Sequence, residues 1–232
     1  DPHSAENTHQ LRTVTATVLS NGEEVEGGGF GQLCMNCHMS RRDADSYSDE
    51  PHNHYGPHYG VQADMLAATN AITFGMDLPT SPHLSAIENS CVDCHMGAGP
   101  VEEVGGHTFN VEDPDGNDNV AVCANCHGDV GESFGDKLYY QSGFADHDGD
   151  GEDEGLQHEV EGLMETLAML LPAASDTLDA YDPHDGVDDT WTQTELKGAY
   201  NYDYVYYDHS HGVHNPAWTV ALLQVSIQAL LN

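Results

Sequence analysis

Hydrophobic and polar positions change rhythm along the chain. Leu11 to Ser20 (LRTVTATVLS) sets Leu, Val and Ala against Thr at a period near two, and Asn21-Gly22 comes next. Alternation closed by Asn-Gly predicts a strand and a hairpin turn, with Val25 opening the return strand. Gly27-Gly28-Gly29 ends that element. Val61 to Ala71 (VQADMLAATNA) predicts a helix, with Met65 as a core side chain rather than a metal ligand. From Gly155 to Leu171, Leu156, Val160, Leu163, Leu167 and Leu170 recur at helical spacing, and Pro172 stops the run. Ser175 to Asp189 predicts an acidic loop. Asp189 or Thr190 is expected to cap a helix reaching about Tyr202. Asn215 as N-cap and Pro216 at the first helical position predict a last helix over Ala217 to Leu231.

Between these elements apolar periodicity is weak and another pattern organises the chain. One pentapeptide occurs three times: Cys34-Met35-Asn36-Cys37-His38, Cys91-Val92-Asp93-Cys94-His95 and Cys123-Ala124-Asn125-Cys126-His127. C-x-x-C-H is the signature of covalent c-type haem attachment. Two thiols add across the porphyrin vinyl groups, and the adjoining His becomes the proximal iron ligand. All six cysteines are consumed. Tetrahedral zinc would use the pairs two at a time and strand one, with no role for each His. A disulfide across C-x-x-C closes too small a loop to staple a chain of this length, and a thioredoxin-type motif occurs once.

Three haems set the expected architecture: mostly α and irregular, packed around haem, with a small N-terminal β-hairpin. Residues 1–30 form an arm and β element. Residues 31–232 form a trihaem domain with a calcium loop near 146–161 and a C-terminal helix. The haem stack is expected to serve as the core, with the Tyr200–Tyr207 stretch against haem edges.

Charge narrows the partners. Five Lys and Arg stand against 40 Asp and Glu, a formal net charge of −35. Such a field repels nucleic acid and anionic membrane surfaces. It suits an ion-rich habitat, where self-repulsion is screened. No stretch approaches the roughly 20 apolar residues of a membrane span. Asp1 reads as a mature N-terminus after processing, and haem attachment outside the cytoplasmic membrane implies an extracellular or periplasmic location.

Of 16 His, three adjoin the C-x-x-C pairs, leaving more than enough distal ligands. Local framing selects His58 in a Gly/Pro loop, His83 after Pro82, His107 after Gly105-Gly106, and His214 before the Asn215 cap. His54, His209 and His211 are reserves. His3 and His9 lie in the N-terminal arm. Separately, Asp146-His147-Asp148-Gly149-Asp150-Gly151 opens like an EF-hand loop, with Asp146, Asp148 and Asp150 as side-chain ligands and Glu152 offering its carbonyl. Position twelve is Gln157 rather than Glu, so Glu159 or Glu161 would take that role. The cofactors expected are three haem c and calcium.

The runs GPHYGVQADML, GGHTF, DGDGEDEGLQHEVEGL and SHGVHNPAWTVALLQ resemble exported multihaem c-type cytochromes, including members that polymerise into extracellular haem filaments. The resemblance covers roughly residues 30 to 232 and implies His58, His83, His107 and His214 as distal ligands. The three motifs are fewer than the four or more of those filament proteins. The leading expectation is extracellular electron transfer through bis-His haems, as a homo-polymer passing electrons to redox partners or extracellular acceptors, and not an enzyme. One alternative is a nitrite- or hydroxylamine-type multihaem reductase. It needs an exchangeable iron, and abundant His and the absence of C-x-x-C-Lys count against it. The other is a soluble periplasmic shuttle docking on a cationic partner.

Overall fold

The predicted N-terminal alternation is realised over two residues per strand. β1 (Thr17–Val18) pairs antiparallel with β2 (Glu24–Val25), Thr17 opposite Val25. The ladder is short because side chains beyond it take over its bonding. Thr17 Oγ1 donates to Gln32 Oε1 at 2.9 Å, and Gln32 Nε2 donates to the Val25 carbonyl at 3.1 Å. The hairpin is thereby tied to the first Cys motif.

The computed structural model describes residues 2–172 and 187–232. Most of the acidic stretch Ser175 to Asp189 lies outside the described residues. The first 130 residues carry short helices joined by irregular chain: α1 (Gln32–Met35), α2 (Ala44–Tyr47), α3 (Gln62–Ala67), α4 (His83–Ala86), α5 (Cys91–His95) and α6 (Ala124–His127). α3 stops four residues before the predicted end. Ala68 and Asn70 adopt left-handed backbone, at φ 56° and 57°. Tertiary bonds claim the chain beyond Ala67: Asn70 Nδ2 donates to Asp64 Oδ1 at 2.8 Å, and Asn201 brackets Ile72 through that residue's N–H and carbonyl. Met65 is fully buried, in the core.

Three long helices complete the chain: α7 (Leu156–Leu170), α8 (Gln193–Asp208) and α9 (Pro216–Leu230). α8 starts at a Thr192–Glu195 capping box and runs six residues past the predicted end at Tyr202. The predicted caps Asp189 and Thr190 lie outside it, because the reciprocal Thr-x-x-Glu pair satisfies two backbone donors. α9 begins as its Asn-Pro start predicts, with Asn215 Oδ1 accepting from Trp218 N.

These helices form an ordinary hydrophobic core, which the expectation of a core made of haem did not include. Val160, Leu163 and Leu167 of α7 meet Leu196, Tyr200 and Tyr204 of α8 and Val220, Leu222 and Leu223 of α9. α9 is buried from Ala217 through Leu223, as suits a helix apolar on every side. Tyr200 and Tyr204 are 0% exposed and Tyr202 2%. With protein on all sides these three have no surface left for a haem edge and are core, whereas Tyr206 of the same stretch is 46% exposed. Each fully buried Leu or Val contributes roughly 1.5–3 kcal/mol. A surface pair such as Lys197–Asp49, at 3.1 Å, contributes under about 1 kcal/mol. With so few cations, burial rather than ion pairing holds the chain together.

Asp64 joins α3 to the chain after the first motif. It is 0% exposed, and Oδ2 accepts from Ser40 N at 2.7 Å. Burial pushes its carboxyl up from 3.8 to about 6, with hydrogen bonds from Ser40 and Asn70 opposing. The folded state thus holds this proton more tightly than the unfolded chain. The stability it contributes is complete below 3.8 and is lost as pH rises through about 6. Thermal melts across that window should show a falling component in the wild type that Asp64→Asn lacks; equal slopes would contradict the assignment.

Candidate haem sites

Each C-x-x-C-H sits on a single helical turn. α5 carries the whole second motif. In the first, the N–H groups of Cys37 and His38 return to the Cys34 carbonyl at 3.0 and 2.9 Å. In the third, His127 N returns to the Cys123 carbonyl at 3.0 Å. One turn sets the two thiols on a common side with the His beside them, which suits attachment to one porphyrin edge.

The motifs are neighbours in the order first, second, third. A Cβ at Gly31 would lie 2.0 Å from Ser90 Oγ, so only glycine lets the chain before Cys34 pass the chain before Cys91. The interaction between the Cys34 and Cys91 thiols, more than burial, pushes the Cys34 thiol up and the Cys91 thiol down. On the other side, a Cβ at Gly97 would meet Val122 Cγ1 at 2.4 Å, packing the chain after the second motif against the chain before the third.

Two of the three motif histidines face another imidazole. His95 and His214 have ring centres 6.3 Å apart, and His127 and His83 have theirs 6.0 Å apart. Imidazole–metal bonds of about 2 Å place trans ring centres about 6 Å apart. Both pairs therefore fit the two axial ligands of one iron. Their planes differ, at 36° for the first pair and 86° for the second.

The far nitrogens are held in the way metal ligation requires. His95 Nδ1 donates to the Phe109 carbonyl at 3.1 Å, His83 Nδ1 to the His214 carbonyl at 3.1 Å, and His214 Nδ1 to Asp208 Oδ1 at 2.7 Å. Each arrangement leaves Nε2 for a metal. Burial alone would lower the His214 pKa, but the Asp208 charge and hydrogen bond raise it overall. Burial lowers that of His127, with His83 and Lys137 adding to it.

His38 is held likewise: its Nδ1 donates to Gln62 Oε1 at 3.2 Å. Gln62 Nε2 reaches the Tyr207 and Asp208 carbonyls at 2.8 and 3.3 Å, at the end of α8. Among the described residues no ring faces His38 as His214 faces His95.

The other residues singled out from sequence take different roles. His58 Nδ1 accepts from Tyr59 N at 2.9 Å, the reverse of the donor role seen at the other four rings. His107 lies in the turn before Phe109, whose carbonyl holds His95. Gly105 allows a close approach, but to the Gly97 carbonyl. Among the reserves, His209 caps α8 in left-handed backbone and His211 donates to Glu161 at 2.8 Å. His54 offers its carbonyl to Arg42.

In the acidic loop, Asp146, Asp148 and Glu159 bring carboxylate oxygens within 4.8 Å of one another. Asp150 and Glu152 are exposed. Glu159 reaches back from α7 and accepts from His147 N at 2.6 Å and Glu154 N at 3.0 Å. Burial raises the Asp148 carboxyl, and the charges of Glu159, Asp150 and Asp146 add to it. Gln157 turns away, its Nε2 donating to the Ser210 carbonyl.

Sequence reading missed Gln62 and Asp208. Gln62 lies within the predicted Val61–Ala71 helix, and Asp208 directly follows the Tyr200–Tyr207 stretch. An acid six residues before His214 was the available signal for Asp208.

A family model for cytochrome c552 matches residues 78–230. That is more than half of the chain, and it contains the second and third motifs, His83, His107, Asp208 and His214. The chain belongs to the cytochrome c552 family. It is thus a multihaem c-type cytochrome of electron transfer. Searches of curated proteins and of solved structures return no match. The family membership supports the multihaem part of the resemblance drawn from sequence, and carries nothing about filaments. It also corrects the expectation that the protein is not an enzyme, since cytochrome c552 family members are typically nitrite reductases. That expectation rested on a surplus of histidines and on the absence of C-x-x-C-Lys, and a surplus counts candidates without placing them over an iron. No helix among the described residues is long and apolar enough to cross a membrane.

One side chain aligns both imidazole pairs. Asn215, 0% exposed, accepts from Ser81 N at 2.8 Å and Trp218 N at 3.3 Å, and donates to Thr80 Oγ1 at 3.0 Å and the Met65 carbonyl at 3.2 Å. It thereby fixes His214 beside it and His83 two residues beyond Ser81. Asn215→Ala should cost roughly 2–4 kcal/mol in thermal or urea unfolding, from a lost cap and orphaned buried groups. It should also perturb the low-spin ferric spectrum of two haems together.

Proposed function

We propose that the chain is a trihaem reductase acting on a small nitrogen oxide such as nitrite or hydroxylamine. His95 with His214 and His127 with His83 would each hold one haem, and His38 would hold the haem left open to substrate. Bound haem supplies one-electron chemistry at iron. The protein's part is to attach, orient and tune it. The observation that carries this reading is the difference among the motifs: two have an imidazole opposite at about the ligation distance, and among the described residues the first does not. Family membership favours the same class.

Charge supports the first motif as the place where an anion is handled. In a field of −35, a substrate anion needs a local cation. Two of the five basic residues, Arg41 and Arg42, lie three and four positions beyond His38. Arg42 is engaged, lying 4.0 Å over the Tyr47 ring and donating to the His54 carbonyl. Arg41 is exposed. Covalent haem attachment, which takes place on the outer side of the cytoplasmic membrane, supports an extracellular or periplasmic location.

The test is nitrite turnover by the haem-loaded protein with a reduced dye as donor. A high-spin ferric component shifted by nitrite is expected, with turnover whose KM rises several-fold in Arg41→Gln. Three fully low-spin haems and no turnover with either substrate would overturn the proposal.

Asp146, Asp148 and Glu159 are proposed to bind calcium, with Asp150 and Glu152 completing the loop when the ion is present. Hard carboxylate oxygens at this spacing suit that ion. Like charges otherwise repel across the loop. Saturating calcium should raise the melting temperature, equivalent to about 2.7 kcal/mol at one hundred times Kd. Asp148→Asn should abolish the rise; a melt indifferent to calcium in both proteins would remove the ion from the scheme.

A further inference from the structure

We infer that Asp208 is a positioning and tuning residue that makes the haem of the second motif the lowest in midpoint potential, in the middle of the row. The observation is an asymmetry in what holds the ligand rings. His38 gives its Nδ1 proton to an amide oxygen, and His83 and His95 give theirs to backbone carbonyls. These acceptors are neutral. His214 alone among these four gives its proton to a carboxylate, at 2.7 Å.

The surroundings make that difference count. The Asp208 side chain is 0% exposed, so water does little to screen it. Its other oxygen accepts only from the Ser210 hydroxyl, and no Lys or Arg pairs with it among the described residues. The carboxylate charge is therefore directed along the hydrogen bond to the ring. A charged acceptor at Nδ1 makes the ring a stronger donor at Nε2. It also favours the more positive, oxidised iron, and both effects lower the potential. The acidic surface acts on all three sites and is screened by salt, whereas this buried charge acts on one.

Position gives the asymmetry its consequence. The second motif adjoins the first through Gly31 and Ser90 and the third through Gly97 and Val122. Reducing equivalents in the partly reduced protein therefore reside on the outer two haems. This rests on the proposed holding of that haem by His95 and His214, but not on whether the first haem turns over a substrate.

A potentiometric titration of the trihaem protein, followed by visible and EPR spectra, tests it. In the wild type the last haem to be reduced should be the one whose low-spin signal is lost in His214→Ala. Asp208→Asn keeps shape and removes charge. It should move that component alone to higher potential and shift its g-values, with the other two unchanged. Asp208→Glu should return it part-way. Ser210→Ala removes the hydroxyl that draws charge from Asp208 and should move the same component to lower potential. If Asp208→Asn does not retain three haems, this opposite shift decides the matter. Unchanged midpoints in whichever variants keep His214 as a ligand, or movement of a different component, would overturn the inference.

Discussion

Metal ligation through Nε2 calls for a partner at the other imidazole nitrogen, and His38, His83, His95 and His214 each have one. That requirement organises the part of the chain that carries the chemistry. Gln62, Phe109, His214 and Asp208 supply the acceptors for His38, His95, His83 and His214. Three of these come from loops or helix ends, where backbone and side-chain groups remain available for such work. The fourth, Gln62, spends its other end on the terminal carbonyls of α8. The ligand rings are thus linked to one another: His38 through Gln62 to the end of α8, Asp208 to His214, and the His214 carbonyl to His83.

The three long helices explain how so irregular an N-terminal portion keeps its geometry. α7, α8 and α9 bury an aliphatic and aromatic core that needs no cofactor, and α8 and α9 present the Asp208–Asn215 turn from its edge. Buried polar side chains then reach outward. Asn201 pins the chain at Ile72, Tyr204 donates to the Thr69 carbonyl at 2.8 Å, and Asn215 reaches Thr80 and Ser81. Each such bond lies in a site dry enough that leaving it unmade costs more than making it contributes. The scaffold therefore positions His83 and His214 together, and the two imidazole pairs share one support.

Net charge acts on a different scale. With almost no cations to pair, most acidic residues lie outside, Asp64, Glu159, Asp203 and Asp208 being buried, and the buried ion pair seen among the described residues is Asp208 with His214. That pair is informative because it sits against a ligand ring. A charge that costs desolvation to bury has its strongest influence where water is absent.

The haem attachment residues were legible from sequence because their chemistry is local: C-x-x-C-H needs five consecutive residues and no partner from elsewhere. The same holds for the Asn-Pro start of α9 and the apolar stripe of α7, both of which depend on backbone geometry within one turn or two. The small β element and the helical character were legible for the same reason. Other features depended on the assembled chain. The left-handed turn at Ala68 shortens α3 because Asn70 and Ile72 are claimed by distant groups. Tyr200, Tyr202 and Tyr204 of α8 are core because two other helices close over them. Which histidine faces which motif, and the carboxylate behind His214, involve residues far apart in sequence. His83 lies 44 residues from His127, and His214 lies 119 from His95. Candidates could be counted along the chain, but their partners were decided only by packing, since pairing is a matter of distance in space and the local pattern carries no term for it.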